Sequence, residues 1–111
     1  MTINEYQIEA LRTEHGMSKE YPRIFNGLMG LCGEAGEAID ILKKHAFQGH
    51  DLDVEHVAKE LGDVAWYLAI SAHALGYTLE EILQMNVDKL RARYPEGFDS
   101  ELSKHRAVGD I

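Results

Sequence analysis

Proline, cysteine and long apolar runs are scarce in this sequence of 111 residues. The two prolines, Pro22 and Pro95, leave long stretches that helices can use uninterrupted, and both stand where a helix edge is expected. The one cysteine, Cys32, excludes an intramolecular disulfide and fits a reducing compartment. Beside Leu28 and Leu31 it reads as apolar filler. No apolar run approaches the ~20 residues that span a bilayer, and Met1 to Tyr6 lack a basic-then-apolar signal pattern. A soluble, cytoplasmic protein with no membrane partner is expected. Positive charge is also short, with 11 Lys plus Arg against 19 acids and a formal net charge of −8. That balance argues against a nucleic-acid polymer as the main partner. It leaves room for a small anionic ligand, because a bound cation inverts the local charge logic. The glycine-rich Gly-x-x-x-x-Gly-Lys phosphate loop is missing, and the six histidines form no zinc spacing.

The chain carries helical periodicity and no useful strand alternation. Four helices are predicted, over 3–14, 22–47, 54–75 and 79–94, with a short helical turn near 100–105. Asp53 is the expected N-cap of the third helix. Gly76 stands just past its end, and Thr78 to Glu81 reads as a capping box. The short loop from Gln48 to Asp53 predicts that the second and third helices run antiparallel. The expected architecture is all-α, an antiparallel bundle of about four helices. It forms one domain over 1–111, with a core at about 22–98 and a tail at 99–111. A chain this short buries a modest core, so a homodimer or homotetramer is expected to cover the remaining apolar area.

Two stripes run along the predicted helices. The first is an apolar seam: Ile24, Leu28, Leu31, Ala35, Ala38 and Leu42 on the second helix, then Val57, Leu61, Val64, Leu68, Ser71 and Leu75 on the third. Such alternating steps of three and four mark bundle cores. The second stripe holds Gly27, Gly30, Glu34, Glu37 and Ile41, then His56, Glu60, Asp63, Tyr67 and Ile70. On the fourth helix it reads Ile82, Asn86, Lys89 and Arg93. Glu34 and Glu37 are three apart, as are Glu60 and Asp63, so each pair shares a helix face. Acids three apart usually mark a solvated face. Here Ile41, Ile70 and Tyr67 continue the stripes, which a solvated face does not need. Gly27 and Gly30 leave room on the same side, although each glycine costs about 1 kcal/mol relative to alanine in a helix. If the helices pack, four like charges converge, which is unfavourable without a neutraliser. For an all-oxygen donor set that neutraliser is a hard cation, magnesium or manganese.

These motifs resemble the MazG-type all-α nucleoside triphosphate pyrophosphohydrolases between Gly27 and Phe98. The carriers are Glu34-Ala35-Gly36-Glu37, then Glu60-Leu61-Gly62-Asp63 with 22 residues between the pairs. They continue into Val64-Ala65-Trp66-Tyr67, Asn86-Val87-Asp88-Lys89-Leu90, Arg93-Tyr94-Pro95 and Gly97-Phe98. Many relatives have another Glu immediately before the first pair, where this chain has Gly33. The resemblance implies hydrolysis of a nucleoside triphosphate between the α and β phosphates, giving a nucleoside monophosphate and pyrophosphate in nucleotide-pool housekeeping. It implies Mg2+ as cofactor, with Mn2+ as a substitute. Glu34, Glu37, Glu60 and Asp63 are then the metal-binding and catalytic residues, with Glu34 the choice for activating water. Lys89 and Arg93 are expected to contact phosphate, Asn86 phosphate or sugar, and Tyr67 sugar or phosphate. Lys44, or its neighbour Lys43, is a further phosphate candidate, although lysines near a helix C-terminus also complement the dipole. Trp66 fits core burial or an oligomer interface better than stacking on a base. His56 is expected at the surface.

Two other classes fit parts of the pattern. A ferritin-like di-iron bundle requires Glu-x-x-His on two helices, and the corresponding slots hold Glu37 and Asp63. A non-catalytic helical adaptor explains the apolar seams and leaves the polar stripes without a role.

Overall fold

The computed structural model describes residues 1–111 and is all-helical. In chain order the helices are α1 (Ile3–Leu11), α2 (Arg23–Gln48), α3 (Val54–Ala74), α4 (Leu79–Arg93) and α5 (Ser100–Lys104). Residues 1–79 and residues 80–111 form two compact units. No helix is long and apolar enough to cross a membrane.

Helix ends follow local chemistry. Thr2 caps α1 in a reciprocal box with Glu5: the Thr2 hydroxyl accepts from the Glu5 amide at 3.1 Å, and Glu5 accepts from the Thr2 amide at 2.9 Å. α2 ends at Gly49, whose φ of 73° lies in the left-handed region that favours glycine. The Asp53 carboxylate caps α3 by accepting from the His56 amide at 3.0 Å, as its sequence position predicts. α1 ends earlier than expected, and Arg23 below it forms an ion pair with the half-buried Glu14.

In the first unit α2 and α3 form an antiparallel hairpin. Gly27 packs on Ser71 and Gly30 on the Tyr67 ring, while Glu34 meets Glu60, so positions rising along α2 meet positions falling along α3. A methyl group at Gly30 would overlap the Tyr67 ring, and one at Gly27 would overlap the Ser71 hydroxyl. The glycines therefore set how closely the two helices approach. α1 crosses α3 and is tied there by one buried amide. The Gln7 Nε2 donates to the Ala69 and Tyr77 carbonyls at 3.1 and 3.2 Å, and its Oε1 accepts from the Leu79 amide at 3.0 Å. A buried side chain satisfied at both ends locks three segments together. Ala10, Ala69 and Leu79 form the core there, with Tyr6, Trp66 and Leu68 packed against them.

The face turned inward differs in part from the seam expected. Leu28, Leu61 and Leu75 are 53%, 59% and 58% exposed, whereas Glu60 is 8% exposed and Ile70 1%. The glycine-and-acid stripe of α2 lies against α3, and Leu28, Leu42, Leu61 and Leu75 of the apolar seam are left open within the chain, while Leu68 packs on the core and Ser71 is buried. Closeness explains this. Two glycines let the Tyr67 ring and Ser71, the small break in the α3 seam, nest against the α2 backbone.

In the second unit α4 leads through Pro95 to Gly97 into α5, which Asp99 caps by accepting from the Glu101 and Leu102 amides at 2.8 and 3.2 Å. The predicted helical turn near 100–105 is this element.

Candidate functional site

The close approach of α2 and α3 continues one turn past Gly30, where both backbones present acids. Glu34, Glu37 and Glu60 each offer a carboxylate oxygen, and these oxygens lie within 4.8 Å of one another. The i, i+3 spacing aims Glu34 and Glu37 from one helix, and Glu60 faces them from α3. Asp63, one turn beyond Glu60, is exposed and acts on Glu34 through its charge.

The cluster lacks internal compensation. Glu34 Oε2 and Glu60 Oε2 are both buried without a hydrogen-bond partner. Two carboxyl groups attract only when they share a proton. Such a hydrogen bond to Glu60 is the main reason the Glu34 carboxyl is pushed up to about 7. Burial and the charges of Glu37, Asp63 and Glu60 push in the same direction. The single favourable partner on hand is His56, whose Nε2 lies 3.1 Å from Glu60 Oε1. His56 is exposed, as its sequence position suggests, yet it orients a buried ligand candidate. Its i, i+4 spacing to Glu60 was the available signal. Tyr6, supplied by α1, is a second residue the motifs did not reveal: burial raises its pKa, and the Asp63 charge adds to the effect.

A groove of about 460 Å³ adjoins the cluster, lined among others by Gly33, Glu37, Lys44, His56 and Glu60. Gly33 has open space where a side chain would begin. Lys44 reaches this groove but spends its charge on Asp40, 3.0 Å away, and holds the Asp40 carboxyl below its ordinary value. Tyr67 lies against Gly30 and meets the Trp66 ring edge-on, with centroids 4.9 Å apart. Trp66 Nε1 donates to the Ala10 carbonyl at 3.1 Å and the Thr13 hydroxyl at 2.8 Å, which anchors the indole against α1. Asn86, Lys89 and Arg93 belong to the second unit. Asn86 and Lys89 are exposed there, while Arg93 is gripped by Asp110.

Two orphaned buried carboxylate oxygens within an all-carboxylate donor set fit a hard divalent cation. Glu34, Glu37 and Glu60 are the residues that would hold it, with Asp63 adjacent. Nitrogen or sulfur ligands, which softer metals select, are not part of the set.

The MazG nucleotide pyrophosphohydrolase domain matches residues 26–98, and the chain belongs to that family. It is also 37% identical over 73 residues to the Gene 37 protein of Mycobacterium phage L5. That alignment takes in 62% of this chain and 64% of the relative, so the chain matches less than two thirds of that protein's length. No solved structure matches the chain.

Proposed function

We propose that the chain hydrolyses nucleoside triphosphates between the α and β phosphates, releasing a nucleoside monophosphate and pyrophosphate, with Mg2+ as its cofactor and Mn2+ as a substitute. The observation that carries this reading is the meeting of Glu34, Glu37 and Glu60 oxygens within 4.8 Å. Membership of the nucleotide pyrophosphohydrolase family supports the substrate class.

Glu34, Glu37, Glu60 and Asp63 are assigned as the metal-holding acids. A bound divalent cation supplies the positive charge that lets acids and triphosphate share one site, and it makes water easier to deprotonate. Glu34 takes the proton of the attacking water at its buried Oε2. His56 holds Glu60 in position through their 3.1 Å contact, the kind of outer partner that orients a ligand. Lys89 and Arg93 bind phosphate oxygens, Asn86 binds phosphate or sugar, and Tyr67 contacts sugar or phosphate. Lys44 is a further phosphate contact and has to leave Asp40 to serve. Catalysis then rests on positioning and charge stabilisation. Clearing unwanted triphosphates from the nucleotide pool is the corresponding role.

A homodimer or homotetramer completes this reading. The exposed seam residues Leu28, Leu61 and Leu75 and an open groove of about 300 Å³ lined by Leu42, Leu52, Val54, Val57, Ala58 and Leu61 support it. An exposed apolar face of this kind marks an interface. A solution mass of one chain would contradict it.

The deciding experiment incubates the purified chain with ordinary, deoxy and modified nucleoside triphosphates and either Mg2+ or Mn2+. Release of pyrophosphate with the matching monophosphate is expected for at least one of them. Silence across the whole set, with both metals, removes the enzymatic reading.

A further inference from the structure

Within residues 80–111, one side chain holds the last turn of α4 to the segment that follows α5. Arg93 Nε donates to Asp110 Oδ2 and Arg93 Nη2 to Asp110 Oδ1, both at 2.7 Å. This two-pronged fork is the geometry a guanidinium uses for carboxylate and phosphate alike. The two side chains are only 10% and 14% exposed. The Arg93 hydrogen bonds hold the Asp110 carboxyl below its ordinary value, and the charges of Arg93, Arg106 and Lys89 add to that effect.

A pair of this kind is usually a brace, and two features set this one apart. The first is a surplus of positive charge. Lys89, Arg93, His105 and Arg106 line a cavity of about 520 Å³ in which Asp110 is the one acidic side chain. A brace needs one cation for its carboxylate, and here three permanent cations surround it. The second is how little else holds the segment. Val108 is fully exposed and Ile111 is 91% exposed, so no large apolar side chain anchors it. Asp110 is turned back by Gly109, at φ 86°, and by one hydrogen bond that its backbone amide donates to the Ala107 carbonyl at 3.1 Å. The hold is therefore mainly electrostatic and reversible.

We propose that Asp110 is a tethered competitor for a phosphate-anion site made by Lys89, Arg93 and Arg106: it occupies the Arg93 fork in the free chain and yields it when a phosphate or pyrophosphate group arrives. Arg106 thereby joins the anion-binding residues. The inference rests on reading Lys89 and Arg93 as phosphate contacts. A ligand that must first displace an internal group binds with its intrinsic affinity scaled by the fraction of chains whose site is open, so an occupancy of roughly 70–90% weakens binding about 3- to 10-fold.

The test titrates the full chain with inorganic pyrophosphate by calorimetry, in chelator and at fixed ionic strength, so that neither metal nor turnover enters. Asp110→Asn is expected to lower the pyrophosphate Kd about 3- to 10-fold relative to the unaltered chain. Arg106→Gln is expected to raise Kd with Asp110 present or replaced. An unchanged or higher Kd for Asp110→Asn, in a chain that keeps its helical circular dichroism, makes the pair a brace and overturns the proposal. If Asp110→Asn does not fold, the unaltered chain decides by NMR. Saturable, parallel movement of the Arg93 Nε–H and Asp110 amide signals on adding pyrophosphate supports displacement, and an immobile Arg93 signal refutes it. The two readings fail separately. A chain that cleaves no triphosphate yet binds pyrophosphate more tightly as Asp110→Asn loses only its enzymatic role, and an active chain with unchanged Kd loses only the competitor.

Discussion

Two carboxylate sites in this chain have opposite surroundings. Asp110 has a guanidinium fork at 2.7 Å and further cations beyond it, and its carboxyl is held low. Glu34 and Glu60 face each other and Glu37 with two buried oxygens unpartnered, and the Glu34 carboxyl is pushed up to about 7. The first site supplies its own counter-charge. The second depends on a proton or a cation from solution. A carboxylate's role is set by what opposes it, and an uncompensated cluster costs stability unless a ligand repays it.

The largest expected effect removes one acid from the uncompensated site. Glu60→Gln should lower triphosphate turnover by about 100-fold or more, beyond the 10- to 100-fold typical of losing an outer partner. Its melting temperature in chelator should hold steady or rise, because a like-charge contact disappears. A fall in melting temperature with full activity would mean that the carboxylate is structural. Next comes the spacing that brings the acids together. Gly30→Ala should cost about 1–3 kcal/mol, since the added methyl forces the Tyr67 ring away from α2. Gly33→Ala, with open space around its Cβ, should gain about 0.5–1 kcal/mol. Denaturant unfolding of both variants measures the contrast, and equal effects would show that Gly30 does not set the helix approach.

A further effect is in pH dependence, where the two sites have opposite signs. Glu34 is raised from 4.5 to about 7 in the folded chain. Between those values the folded state binds the extra proton, so this stabilisation is complete below about 4.5 and is lost as pH rises through about 7. Asp110 is lowered from 3.8. Its contribution is present above that value and is lost as pH falls below it. In chelator, thermal unfolding should therefore occur at lower temperature at pH 8 than at pH 6. Glu34→Gln should flatten that slope, and Mg2+ should remove it. A slope unaffected by Glu34→Gln would assign it to other groups.

Much of this was legible in the sequence. The α2 and α3 spans, the Asp53 cap and the antiparallel hairpin follow from spacing and turn chemistry. So does the pairing of Glu34 with Glu37 and of Glu60 with Asp63, because residues three apart share a face in any helix. Other features were hidden. Period alone favours the apolar seam as the buried side. On α2 the structure turned the glycine-and-acid stripe toward α3, since only contact with Ser71 and Tyr67 reveals what the glycines accommodate. His56 is exposed, as its sequence position suggests, and its contact with Glu60 emerges only in the folded chain. The Arg93–Asp110 fork joins residues 17 apart across α5, with no repeating pattern.

By itself, the sequence determined the helices and the acids on their faces, because backbone periodicity and capping are local properties. Only the tertiary structure decided which face turned inward and which charges found partners. Those outcomes depend on how closely two backbones approach, and that distance is set jointly by side chains that are remote in the chain.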